Sequence, residues 1–171
     1  MDVFETVSTV LAVRDFQGKP IPADIVDKIV ASAWLTASSK NLQPWYFIVV
    51  QDREQLRKLG EIAKSGPYIA QAAMAVVVVI DRTEWAVSDG SRAIQSMALT
   101  AWSEGIGSNW VGFVGFGGMP DVNAFFNIPT DKDVLAVVPF GYPTRSIGKG
   151  KKNRKAMAEV IYWEKFGQSA K

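Results

Sequence analysis

The spacing of apolar and polar positions divides the chain into elements. After Pro20 and Pro22, the residues Ile25, Val26, Ile29, Val30, Ala33 and Trp34 recur at helical intervals, which predicts a helix ending near Thr36. Polar Ser38, Ser39, Lys40 and Asn41 follow as a loop. Trp45 to Val50 is aromatic and β-branched and reads as a buried strand. Asp52 is placed to cap a helix from Arg53 to about Ala63, with Leu56 and Leu59 turned inward and Gly66-Pro67 as its breaker. A short helix near Tyr68 to Ala73 leads into Ala75 to Ile80, where consecutive valines predict a central strand covered on both faces.

Ser88-Asp89 opens a long helix with a broad apolar stripe of Ala93, Ile94, Met97, Ala98, Ala101 and Trp102, ended by Gly105-Ile106-Gly107. Ser108 to Phe113 reads as a strand. The glycine-dense stretch Gly112 to Gly118 leads to a helix near Asp121 to Phe126, and Val134 to Phe140 is a last central strand. Arg145 to Lys155 is basic and without apolar period. Ala156 to Phe166 turns apolar again through Val160, Ile161, Trp163 and Phe166, which suggests a tail that docks on a second subunit. Helices and strands in this order predict a sheet with helices on its faces, an α/β or α+β sandwich.

Composition narrows the chemistry. The 171 residues suit one domain, and a hydrophobic content of 48% supports a packed core. A net charge of +2 argues against nucleic acid as a partner. The longest apolar run, Ala72 to Ile80, is far shorter than the roughly 20 residues of a membrane helix, and the N-terminus lacks the basic and apolar regions of a signal peptide. The absence of cysteine removes disulfides, thiolate metal sites and thiol nucleophiles, and suits a cytoplasmic setting. The absence of histidine removes the usual neutral-pH base and the commonest metal ligand, and no carboxylate cluster has metal-loop spacing, so no metal is expected. No nucleophile elbow, phosphate loop or dinucleotide glycine fingerprint occurs. What remains is ligand binding, or chemistry carried by an organic cofactor.

Three stretches offer binding groups. These are Ala12-Val13-Arg14-Asp15-Phe16, the loop Ala37 to Trp45, and the basic run Lys149 to Lys155. A cation meets a phosphate, and hydroxyls and amides meet a polar ring edge. Each also has an ordinary reading: a surface arginine, a helix stop, a solvated charge run.

The motifs Arg14-Asp15-Phe16, Pro20-Ile21-Pro22 and above all Ser38-Ser39-Lys40-Asn41-Leu42-Gln43-Pro44-Trp45 resemble those of the nitroreductase family. The resemblance continues through Asp89 to Met97, Gly105 to Trp110, Ile128-Pro129, Phe140 to Pro143, and Arg154 with Val160 to Trp163. It implies a three-layer α+β sandwich with a central, mostly antiparallel sheet. Residues 1–171 would form one domain, with 145–171 as an arm on the partner subunit of a homodimer. The implied activity is FMN-dependent: NAD(P)H reduces the flavin, which passes a hydride from N5 to a nitroaromatic, quinone or similar electrophile by a ping-pong route.

Carried over residue by residue, the resemblance places Arg14 at the N1/O2 edge, where a cation stabilises charge that builds on reduction. Ser38, Ser39 and Asn41 would reach the ring and ribityl chain from the partner, with Gln43 supporting their loop. Backbone N–H groups of Gly112 and Phe113 would approach N5, and Lys152 and Arg154 would hold the phosphate. One departure stands out. Val10, Leu11 and Ala12 occupy positions where the family commonly carries Arg-Arg-Ser or Arg-His-Ser. Loss of a charge-assisted bond to phosphate costs roughly 1.5–3 kcal/mol, about tenfold to a hundredfold in affinity. Lys40, Arg92 and the tail lysines are candidates to compensate. The departure keeps a second reading open, a protein of the same fold that binds flavin or another ligand without turnover.

Overall fold

The computed structural model describes residues 1–112, 119–145 and 152–168. Its helices are α1 (Val3–Thr9), α2 (Ala23–Trp34), α3 (Arg53–Ile62), α4 (Ala86–Ser103) and α5 (Pro120–Phe125). Its strands are β1 (Trp45–Val50), β2 (Met74–Asp81), β3 (Gly107–Ser108) and β4 (Lys132–Gly141). Single turns of 3-10 helix occur at Ser39–Asn41, Pro67–Gln71 and Met157–Glu159.

The strands form one sheet in the order β1-β2-β4-β3, with every neighbouring pair antiparallel. β2 divides the interior. Met74, Val76, Val78 and Ile80 pack with Ile29, Ala33, Ala93, Ile94 and Met97 of α2 and α4. Ala75, Val77 and Val79 point the other way, onto Leu56, Leu59 and Val122 of α3 and α5. The alternation of a strand thus feeds two helical layers, and β2 is buried along its whole apolar length. This is the three-layer α+β arrangement expected from the sequence.

Local chemistry explains the boundaries. Asp52 caps α3, its Oδ1 accepting the Gln55 N–H at 2.9 Å. Asp2 caps α1 in the same way, with Glu5 as donor at 2.7 Å. Gly90 lets α4 lie against the sheet: a Cβ there would stand 2.6 Å from the Leu135 side chain. Three expectations need correction. The short helix near Tyr68 is a 3-10 turn. The strand expected over Ser108 to Phe113 is confined to Gly107–Ser108 plus a single bridge from Val111 to Val137. α1, unannounced by the apolar pattern, precedes the first expected helix. No helix among the described residues is long and apolar enough to cross a membrane.

Candidate functional site

Residues 12–17 run beside the sheet. Ala12 bridges Ser108, the Val13 N–H donates to the Ser108 carbonyl at 2.9 Å, and the Gln17 N–H donates to the Tyr142 carbonyl at 2.9 Å. Gly107 permits this approach, because a side chain there would collide with Val13.

Between this segment, residues 108–110 and the middle of α4 opens a cleft of about 240 Å³. Its walls are Val10, Leu11, Ala12, Ile94, Ala98 and Val138, with Gln95, Ser108, Asn109 and Trp110 supplying polar and aromatic groups. Pockets that enclose a drug-sized ligand usually span roughly 300–1,000 Å³, so this cleft by itself encloses only part of such a molecule. Asn109 is buried; its amide donates to the Tyr68 hydroxyl and, at 3.3 Å, to the Trp110 carbonyl. The Trp110 indole N–H donates to the Gly112 carbonyl. Gly112 takes φ +77°, and a Cβ there would stand 2.7 Å from the Met119 sulfur, so the backbone past the cleft requires glycine. Phe113 lies outside the described residues.

A second group assembles at the first turn of α4. Ser39 donates to the Asp89 carboxylate twice, through its N–H at 2.9 Å and its hydroxyl at 3.0 Å. Arg92 pairs with the same carboxylate and reaches the Ser39 hydroxyl at 3.3 Å. Asp89 is fully buried. Burial pushes its carboxyl up, but the Ser39 N–H, Arg92 and the Ser39 hydroxyl together outweigh that and hold it below the ordinary carboxylate value. Beyond Ser39 the loop is left-handed at Lys40 (φ 52°), Asn41 (φ 56°) and Gln43 (φ 49°). The Gln43 N–H donates to the Ser38 hydroxyl at 3.0 Å, and its side-chain amide donates to the Asn41 carbonyl at 3.3 Å. Lys40, Asn41 and Leu42 are exposed.

The cations lie apart from both. Arg14 is exposed, two residues past the cleft wall. The Lys152 amine donates to the Val7 carbonyl in the last turn of α1, three residues ahead of Val10. Arg154 is exposed and donates to the Asn153 carbonyl at 3.0 Å.

Ser38, Ser39, Asn41 and Gln43 therefore share a loop at the start of α4. The cleft instead lies at Ile94, Gln95 and Ala98, about one and a half to two and a half turns further along the same helix, with Arg14 and Gly112 each two residues beyond its lining in the sequence. Arg92, a candidate substitute for the missing phosphate arginine, is tied to Asp89. Sequence reasoning missed Asp89, Asn109 and Gln95. Asp89 carried one available signal, an acidic residue near a helix start, which by itself marks only a helix end.

A model of the nitroreductase family matches residues 11–83 and 69–142. A Methanothermobacter thermautotrophicus protein, named a candidate NADH dehydrogenase/NAD(P)H nitroreductase, is 33% identical over 155 residues, 86% of this chain and 81% of its own length. The Bacillus subtilis protein named FMN reductase [NAD(P)H] is 28% identical over 80 residues, 47% of this chain and 32% of its own. A crystal structure of a candidate NADH dehydrogenase/NAD(P)H nitroreductase from Bacteroides thetaiotaomicron superposes with a TM-score of 0.87 at 25% identity, covering 96% of this chain and 98% of that one. Matched across most of its length in sequence and in fold, the chain belongs to the nitroreductase family.

Proposed function

We propose that this protein is an FMN-dependent oxidoreductase that works as a homodimer in the cytoplasm. It carries reducing equivalents from NAD(P)H to a small electrophile, such as a nitroaromatic or quinone, in a ping-pong cycle. The carrying observation is the cleft between residues 10–12 and 108–110, open on one protomer and backed by family membership. Its donor set suits a planar, polar-edged ring. Val10, Ala12, Ile94, Ala98 and Val138 offer apolar walls, while Gln95, Ser108 and Asn109 offer hydrogen-bonding groups. The phosphate end has its cations outside the cleft, in Lys152 and Arg154.

When bound, FMN supplies the two-electron chemistry that a chain without histidine or cysteine lacks. The chain's own groups bind and orient. Arg14 places a positive charge at the pyrimidine edge. The backbone N–H of Gly112, at the far side of Trp110, would serve the reacting edge. Ser38, Ser39, Asn41 and Gln43 form a loop that serves the cleft of the partner, and Lys152 and Arg154 take the phosphate. The separation of loop and cleft along α4 supports this division of labour between two chains. So does the exposed apolar arm, with Met157 at 73%, Trp163 at 56% and Phe166 at 90% accessibility.

One observation favours a second reading, ligand binding without turnover: the apolar Val10, Leu11 and Ala12 line the cleft where the family commonly has basic and hydroxyl groups. The deciding experiment is an absorbance spectrum of the protein with FMN, before and after anaerobic NADH or NADPH. Retained flavin bands that bleach support the oxidoreductase. Retained bands that do not bleach support the binding protein.

A further inference from the structure

We propose that Asp89 is a positioning residue for flavin binding: its carboxylate, closed off from water at the start of α4, holds the loop 38–43 in the left-handed form that presents Asn41 to the ligand. This rests on the reading above, in which that loop contacts the flavin.

Asp89 is the one fully buried carboxylate among the described residues, and all of its described side-chain partners belong to the loop or to Arg92. A carboxylate only accepts, which suits a position met by three donors. The stability of the core does not call for a buried charge at this point, since such a group is costly to desolvate. What the charge secures is a strained conformation. Left-handed backbone at three non-glycine residues persists only where the surroundings over-determine it, and such strain gathers at ligand clamps. The bonds from Gln43 to Ser38 and Asn41 close the loop on itself, but only Asp89 and Arg92 tie it to the helix. An amide in place of the carboxylate would turn a donor toward one of the three donors already there.

The test compares Asp89→Asn and Arg92→Gln with the parent. It uses FMN titration followed by flavin fluorescence, trypsin cleavage after the exposed Lys40 followed by mass spectrometry, and thermal melting. Asp89→Asn is expected to weaken FMN binding by about tenfold or more, and to speed cleavage after Lys40 in a protein that still melts cooperatively. Arg92 is the charged group acting on Asp89, and the donors from the loop side come from the neutral Ser39. Arg92→Gln is therefore expected to lose FMN affinity at a higher pH than the parent as the solution is acidified. That comparison decides the question if Asp89→Asn does not fold. A folded Asp89→Asn with FMN affinity within about twofold of the parent, or an Arg92→Gln pH profile that overlays the parent's, overturns the proposal. A parent that binds no FMN overturns the flavin reading itself, and this inference with it.

Discussion

Asp89 also has a consequence for stability. A carboxyl whose value is lowered by folding contributes stability that is fully present above its ordinary value of 3.8 and drains away as pH falls through the lowered one. Thermal melting of the parent between pH 6 and about pH 2 should therefore show a loss in the acid range that is reduced in Asp89→Asn. Identical acid slopes for the two would show that the carboxyl is not the group responsible. Arg14 makes a different kind of prediction. Its guanidinium is exposed and, in the proposed role, stabilises charge that builds only on reduction, so Arg14→Ala should slow flavin reduction by NAD(P)H more than it weakens flavin binding. Stopped-flow reduction set beside an equilibrium titration separates the two effects, and equal reduction rates would remove Arg14 from its assigned role.

At the scale of elements, α3 offers a calibrated pair of changes. Asp52→Ala should cost about 1 kcal/mol through loss of the cap. Leu56→Ala, at a fully buried position, should cost about 2–5 kcal/mol. Urea denaturation of the purified variants measures both. These are also the features that were legible in the sequence, because each depends on a neighbour within a turn or on a simple alternation. The valines of β2 announced a strand buried on both faces, and α2, α3 and α4 showed apolar stripes. α1 did not, because Val3 and Phe4 are 79% and 81% accessible and set no inward period within the protomer. The strand after α4 is short because residues 108–112 depart from β4 after Ser108 and rejoin it only at Val111, a feature of tertiary pairing. At the site, the stretch from Ser38 to Asn41 was legible as a polar loop between a helix and a strand. Its anchor was not: Ser39 and Asp89 lie 50 residues apart, and nothing local to either points to the other.

At the scale of the molecule, the exposed apolar residues of α1, the end of α2 and the C-terminal arm are what the proposed dimer would cover. Trp34 and Leu35, at 67% and 71% accessibility, join Val3, Phe4 and Phe166 in this set. Val3 and Leu35 line one surface pocket, and contiguous apolar exposure marks an association surface. A chain ending before Lys149 should accordingly be monomeric or insoluble, as light scattering would report, and a stable dimer of that chain would remove the arm from the interface.

The pairing of residues 12–17 with β3 and with the end of β4 has a further consequence for the order of events during synthesis. Gln17 donates its side-chain amide to the Pro143 carbonyl across 126 residues, and Val13 meets Ser108 across most of the chain. Contacts of such sequence separation form late. The N-terminal strip must leave the ribosome and wait, unpaired, until the last strand has emerged. One wall of the cleft is therefore built from residues 10–12 and completed against Ser108 to Trp110 and Val138, so a nascent chain that has not yet made β4 has no finished pocket to offer, and cofactor loading has to follow that strand.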